Sequence, residues 1–324
     1  MQPVIAMTSR FGDRKDRFIL FFCKTEKQKN TLKHKAGFVN IIGSPNVGKS
    51  TLMNGLVGER LSIITSKAQT TRHRIMGIVN GEDFQIVYSD TPGVLDAKYK
   101  LQESMMNFVG SALADADIIL LVTDLKENEL NHKETLTRIE KVEIPVLVLV
   151  NKADMGTQDE VAERVGYWRE RLPKAEVAPI SALHKFNLDM VLEKIKSLLP
   201  ENPAFFPKDE LTDRPMRFFM SEIIREKILV HYKQEIPYAS EVLIEEYKEE
   251  DKIIRIGAVI IVNRDSQKGI LIGKKGSMLK RVGTEARKDM EVFLDKKVFL
   301  QLYVKVDKDW RENENKLKKY GYLE

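Results

Sequence analysis

The sequence predicts an α/β domain built on a mostly parallel sheet, followed by a smaller α+β domain. Three observations carry this. Continuous apolar runs of strand length alternate with helical patterning through the first part of the chain, as buried parallel strands with crossover helices do. Pro200, Pro203, Pro207 and Pro215 then interrupt helical periodicity. After them the pattern reads helix, strand, strand, helix, helix, strand. We therefore divide the chain into an extension at 1–36, a first domain at 37–200, a linker at 201–214 and a second domain at 215–324.

In the first domain, residues 37–42 (GFVNII) read as a buried strand, and residues 50–56 open a helix. Between them Gly43, Ser44, Pro45, Asn46, Val47, Gly48, Lys49 and Ser50 fit G-x-x-x-x-G-K-[ST]. In such a turn successive backbone N–H groups face a β-phosphate, the lysine reaches the β/γ oxygens and the hydroxyl sits on Mg²⁺. Thr51 continues into the helix, whose N-terminus favours an anion. Residues 84–89 form a further strand that delivers Asp90, Thr91, Pro92 and Gly93. An aspartate at that strand end can hold Mg²⁺ through water, and the Gly93 amide can meet a γ-phosphate.

Residues 146–150 (VLVLV) form another buried strand, and Asn151, Lys152 and Asp154 leave its carboxyl end, where ligands sit in open α/β sheets. The Asp154 carboxylate can accept from guanine N1–H and the exocyclic amine, whereas adenine would leave it unpaired. Ser181, Ala182 and Leu183 follow a strand at 177–180 and are expected to close over the base. A helix at 188–199 ends the domain. Four loops converging on one sheet edge imply a guanine-nucleotide site.

The chain has 324 residues, 43% hydrophobic and 31% charged, which is ordinary for a globular protein with two cores. Its apolar runs all fall short of the eighteen residues expected of a membrane span. Cys23 is the single cysteine, so an internal disulfide is excluded. The net charge of +5 is uneven. Residues 1–36 hold 9 basic and 3 acidic side chains, residues 37–206 hold 19 and 23, and residues 207–324 hold 25 and 22. A polyanion partner is therefore expected away from the nucleotide domain.

In the second domain we expect a helix at 216–231, strands at 241–247 and 253–262 joined by a polar turn, a helix, a Gly-Lys-Lys-Gly turn, a helix at 277–294 and a strand at 298–306. The turn is Gly273, Lys274, Lys275 and Gly276, preceded by the aliphatic run Gly269, Ile270, Leu271 and Ile272. Residues 264–281 carry six basic side chains, Lys280 and Arg281 among them, against Asp265. Backbone amides at such a turn can approach phosphates while the aliphatics form a groove for unstacked bases, a single-stranded RNA site. Element order and turn together describe a KH module of the second topological variant.

A guanine-nucleotide domain followed by one type II KH domain resembles the Era family, ribosome-assembly GTPases of bacteria and organelles; the resemblance covers residues 37–324. It implies a P-loop GTPase fold, GTP as substrate, and Mg²⁺ held by Ser50, Thr71 and Asp90. The run from Ala68 to Ile75 (AQTTRHRI) is similar to the family's switch segment. There the threonine before Arg72 would ligate Mg²⁺, so Thr71 is preferred over Thr70. Asn46 stands where related GTPases recruit K⁺, although by itself it reads equally well as a turn residue. Lys49, Thr71, Gly93 and Asn46 are thus the implied catalytic set. Val94 occupies the place of the glutamine that orients water in Ras-like enzymes, so turnover is expected to be slow without a partner.

The implied partners are the 3′ end of small-subunit ribosomal RNA and the nascent small subunit, met by a monomer. The expected location is the cytoplasm, including the cytoplasmic side of the inner membrane, with an organellar matrix as the minor alternative. The other functional class is an RNA-binding or membrane-associated adaptor that binds GTP and GDP without meaningful turnover. His73 is expected on the switch surface. Residues 1–36 fit no Era pattern and have three readings: a start codon placed too far upstream, a disordered basic arm, or a transit peptide.

Overall fold

A computed structural model describes residues 34–127, 130 and 132–323, to which every structural statement below refers. The expectations for the N-terminal extension lie outside these residues, apart from its last three. In chain order the elements are β1 (Lys35–Ile42), α1 (Lys49–Val57), β2 (Ile75–Asn80), β3 (Phe84–Asp90), α2 (Lys100–Ala114), β4 (Ile118–Asp124), α3 (Lys133–Lys141), β5 (Val146–Asn151), α4 (Gln158–Arg171), β6 (Glu176–Pro179) and α5 (Leu188–Leu198). There follow α6 (Met216–His231), α7 (Ile236–Ala239), β7 (Ser240–Glu249), β8 (Ile253–Val262), α8 (Asp265–Ile272), α9 (Ser277–Leu294), β9 (Lys297–Val306) and α10 (Glu314–Lys319).

The larger sheet has the order β2-β3-β1-β4-β5-β6, parallel except for β2, which pairs antiparallel with β3. Its central strands are apolar because both faces are covered. One face packs with α1 and α5 in a cluster holding Val39, Ile41, Leu52, Leu120 and Ile195, while Ile42, Leu121, Val148, Val150 and Trp168 belong to a second cluster with α3 and α4. The smaller sheet has the order β7-β8-β9, with β7 antiparallel and β9 parallel to β8. Alternate β9 residues (Val298, Leu300, Leu302, Val304) turn inward with α9 residues Val282, Ala286 and Met290 in the first cluster.

Residues 201–214 are anchored along their length. Gln85 accepts from the amides of Phe205 and Phe206 at 2.7 and 3.0 Å, and the Ile78 amide donates to the Leu211 carbonyl at 2.8 Å. Thr212 Oγ1 donates to the Met76 carbonyl at 2.6 Å, and Asp213 accepts from the Met76 amide. The proline-rich stretch thus satisfies backbone groups at the β2 edge that would otherwise stand open.

A third apolar cluster was not anticipated. Leu101 and Met105 of α2 pack with Val259 and Ile261 of β8 and with Trp310, Leu317, Tyr320 and Tyr322 from the C-terminal segment. Trp310 is fully buried and donates through Nε1 to the Ala239 carbonyl at 3.1 Å. Here the smaller domain is packed directly on the larger one.

Candidate functional site

The four loops do converge. The glycine-rich turn joins β1 to α1, Asp90 ends β3, Asn151 ends β5, and Ser181 and Ala182 follow β6, all at the carboxyl ends of the parallel strands. A cleft of about 450 Å³ is lined by Pro45, Asn46, Gly48, Lys49, Ser50, Thr51, Thr71, Gly93 and Lys152, together with residues 63–67.

The turn needs glycine at position 48. Its φ is +100°, and a Cβ there would stand 2.2 Å from Asn151 Nδ2. Lys49 is buried and donates to the carbonyls of Gly43 at 3.0 Å and Ser44 at 2.8 Å. Burial pushes its ammonium down to about 8, with Asp90 and Glu127 opposing the shift. An anion at the turn would restore the favourable surroundings that burial removes.

Ser50 Oγ donates to Asp90 Oδ2 at 2.6 Å and lies 2.9 Å from Thr71 Oγ1, which in turn donates to Asp90 Oδ2 at 3.1 Å. Asp90 Oδ1 is buried and has no hydrogen-bond partner. Burial raises the carboxyl above its usual range against the opposing bonds from Ser50 and Thr71 and the charge of Lys49. Two hydroxyls and an underused carboxylate form the oxygen-rich, charge-deficient set that a hard divalent cation fits. Thr70 also lines the cleft, but its hydroxyl is engaged away from Asp90, donating to the Lys67 carbonyl at 2.6 Å and meeting Thr65 Oγ1.

Several motif residues act as struts. Asn151 Nδ2 donates to the Val47 carbonyl at 2.7 Å and its Oδ1 accepts from the Ala182 amide at 2.9 Å, tying two loops together. Thr91 is wholly buried and donates to the Ile41 carbonyl at 2.7 Å, and Val47 belongs to the core. Lys152 donates to the Asn46 carbonyl at 2.8 Å and to Asp124 Oδ2 at 2.9 Å, which lays its stem across the turn. Asp154 stays partly open, 3.6 Å from His184 Nε2. Ser181 pairs through its backbone with Phe186, while Leu183 is exposed. Asn46 is exposed with φ +66°, consistent with its turn reading.

Val94 is fully buried in the second core cluster, and its amide donates to the Gly43 carbonyl at 3.1 Å. A side chain at this position packs inward, so it offers nothing to an attacking water.

His73 corrects an expectation. Placed on the switch surface by sequence, it is buried, stacked on Tyr322 with centroids 4.3 Å apart and flanked by Phe108 and Phe218. Burial lowers its pKa well below the ordinary histidine value, and Arg214, Arg225 and Arg72 lower it further. Its neighbours come from far along the chain, so no local pattern signalled them. Asp124 was also missed, although its place at the end of an apolar strand was a readable signal.

The second candidate surface is the turn between α8 and α9. Gly273 has φ +73°, and a Cβ there would meet Met278 Cγ at 2.7 Å. Lys274, Lys275, Lys280, Arg281 and Gly269 are exposed, Ile270 is 53% exposed and Ile272 is half-buried. Gly276 has open space around it, so backbone there is accessible. Arg281 is already engaged, its Nε donating to Glu285 Oε1 at 3.2 Å.

Comparison with known proteins matches both domains. A family model described as 50S ribosome-binding GTPase matches residues 38–152, and a KH domain model matches residues 235–311. The chain is 44% identical over 289 residues to the GTPase Era of Geotalea daltonii, covering 89% of this chain and 97% of the relative. It is 43% identical over 294 residues to GTPase Era of Staphylococcus haemolyticus, covering 90% and 98%. Among solved structures it is similar to Era in complex with MgGDPNP and nucleotides 1506–1542 of 16S ribosomal RNA, with a TM-score of 0.86 at 38% identity, covering 90% of this chain and all of that one. An Aquifex aeolicus Era variant bound to GDP and aluminium fluoride matches with the same TM-score at 39% identity. A chain that matches whole relatives across both domains, with the nucleotide loops and the KH turn in place, belongs to the Era family of GTPases.

Proposed function

We propose that this GTPase is a switch that binds the 3′ end of small-subunit ribosomal RNA through its KH turn and acts in assembly of the small ribosomal subunit. The observation that carries the reading is the clustering of Ser50, Thr71 and Asp90 oxygens beside Lys49, in a chain whose other domain presents an exposed Gly-Lys-Lys-Gly turn. The 16S fragment bound by the similar Era structure supports the choice of RNA.

Lys49 and the turn amides from Gly43 to Ser50 would hold the β- and γ-phosphates, and Asp154 would read the guanine edge. Ser50, Thr71 and Asp90 would hold Mg²⁺, which supplies charge neutralisation at the phosphates. Gly93 would offer its amide to the γ-phosphate; a Cβ there would touch Pro45 Cα at 2.7 Å, so its loop lies against the glycine-rich turn. Loss of the γ-phosphate removes a contact from both the Thr71 segment and the Gly93 loop. Ile270, Ile272, Gly273, Gly276, Lys274, Lys275, Lys280 and Arg281 form the RNA surface.

Because Val94 is sealed in the core, unassisted turnover should be slow, on the order of 10⁻⁴ to 10⁻² s⁻¹. RNA and K⁺, the latter at Asn46, are the proposed accelerators. The protein works in this reading as a monomer in the cytoplasm, including the cytoplasmic side of the membrane; no helix among the described residues is long and apolar enough to cross a membrane.

The test is GTP hydrolysis by the purified chain in K⁺ or Na⁺ buffer, with and without a short single-stranded RNA matching the small-subunit 3′ end. Joint stimulation by RNA and K⁺ is the expected result. Tight GTP binding with no stimulation by either would instead support an adaptor without meaningful turnover, the reading that the buried Val94 leaves open.

A further inference from the structure

Thr71 stands in a segment that the larger domain holds at Gln69, which accepts from the Tyr99 hydroxyl at 3.1 Å, and at Arg74, which donates to Ser89 Oγ at 2.9 Å and to Asp115. The Thr71 hydroxyl meets Ser50 and Asp90, yet the residues on either side of it are gripped from the smaller domain. Before it, Arg225 of α6 donates through Nη2 to the Thr70 carbonyl and through Nη1 to the Gln69 carbonyl at 3.4 Å. Arg225 is itself buried and fixed by Glu222, with 2.7 Å from Nε to Oε1. Lys67 Nζ donates to the Tyr232 carbonyl at the end of α6.

Directly after Thr71, the Arg72 guanidinium is wholly enclosed. Nη1 donates to the Ser240 carbonyl at 2.8 Å and to Glu241 Oε2 at 3.0 Å, and Nη2 donates to the Pro237 carbonyl at 2.9 Å. Glu241 Oε2 also accepts from the Tyr322 hydroxyl, and Tyr322 stacks on His73. Burial and Glu241 hold the Tyr322 phenol well above its ordinary pKa, so it remains a donor. A planar guanidinium with three fixed acceptors leaves the adjoining backbone little freedom.

We infer that Arg72 and Arg225 are positioning residues: through them the RNA-binding domain sets the place of Thr71, so that the Mg²⁺ site of the GTPase is completed only with that domain docked. This rests on the reading of Thr71 as a Mg²⁺ ligand and adds what holds it. Reciprocity follows: whatever displaces the clasp, such as RNA pulling on α6 or β7, must change affinity for the γ-phosphate state, and that state must change RNA affinity by the same factor.

The test compares affinities of the full chain for Mg²⁺–GDPNP and for GDP in Arg72→Met, Arg225→Met and Tyr322→Phe, with Thr71→Ala as control. GDP has no γ-phosphate and no call on Thr71. The expected result is a loss of about tenfold or more in GDPNP affinity for the two arginine variants, a smaller loss for Tyr322→Phe, and GDP affinity held within about twofold in all three. Tyr322→Phe keeps the test open if removing a buried arginine prevents folding. Amide exchange at residues 67–73 in the nucleotide-free protein gives an independent readout, expected to speed up in the clasp variants. Equal weakening of both nucleotides, or an unchanged ratio in every folded variant, overturns the inference. An unchanged ratio in Thr71→Ala overturns the ligand reading itself and the inference with it, whereas loss in Thr71→Ala alone overturns only the clasp.

Discussion

The nucleotide cleft and the KH turn are both built on glycines and lysines, yet their lysines are held in opposite ways. In the cleft Lys49 is buried and bonded to the turn it serves, and Gly48 lies against Asn151. At the KH turn Gly273 and Gly276 also need positive φ, at +73° and +76°, and the difference lies in Lys274 and Lys275, which are exposed. One site is preorganised for a single small anion in a low-dielectric pocket; the other offers movable charges to a polymer with many phosphates. Sensitivity to substitution should therefore be steep and all-or-none in the first, graded and additive in the second.

The largest expected effect comes from Gly48→Ala. The added methyl must displace Asn151, which also braces Val47 and Ala182, so three loops shift together. We expect GTP and GDP affinity to fall on the order of a hundredfold, about 3 kcal/mol, as titration with a fluorescent nucleotide would measure. A fall below tenfold would mean that the cleft is as forgiving as the KH turn, and the contrast would collapse.

Where the two domains meet, His73 gives an intermediate effect with a defined sign. Its folded-state pKa lies well below the ordinary value, so below about pH 6.5 the unfolded chain binds a proton that the folded chain does not. Its contribution is fully retained above that pH and lost as pH falls, at up to about 1.4 kcal/mol per pH unit. Urea denaturation between pH 5 and 8 should show this slope in the native chain and a shallower one in His73→Phe. Equal slopes would place the histidine in water rather than against Tyr322.

The smallest effects belong to Lys274→Ala and Lys275→Ala. If four to six cations meet RNA phosphates, the plot of log K against log salt should have a slope of roughly −3 to −4, and each lysine removed should reduce it by about 0.7. Binding measured over a range of KCl concentrations tests this, and a salt-independent affinity would rule out the groove. An effect from one lysine as large as that of Gly48→Ala would show that the turn, too, is preorganised.

Motif residues were legible to different depths. Gly43 to Ser50, Asp90 and Asn151 were found because phosphate and Mg²⁺ impose residue types at fixed spacing along a strand–turn–helix. What each does was less legible: Thr91 and Asn151 bond to protein rather than facing the cleft, and Val94 turns into the core. The helices at Met216–His231 and Ser277–Leu294 could be read to the residue because proline or glycine marks their starts and apolar spacing carries them through. Short α7 and α10 do carry start signals, Pro237 and the Asn313 cap, but their 4 and 6 residues are too few for apolar spacing to show.

By itself, then, the sequence determined what local chemistry dictates: which segments form strands and helices, which loops leave the carboxyl ends of the parallel strands, and that a KH domain follows a GTPase domain. Only the tertiary structure decided how the two are joined. Arg72 and His73 look like surface residues until Glu241 from β7 and Tyr322 from the C-terminus enclose them. Their burial depends on partners about 170 and 250 positions away, and no periodicity or motif along the chain encodes a contact of that reach, since it exists only once two separately folded surfaces have packed.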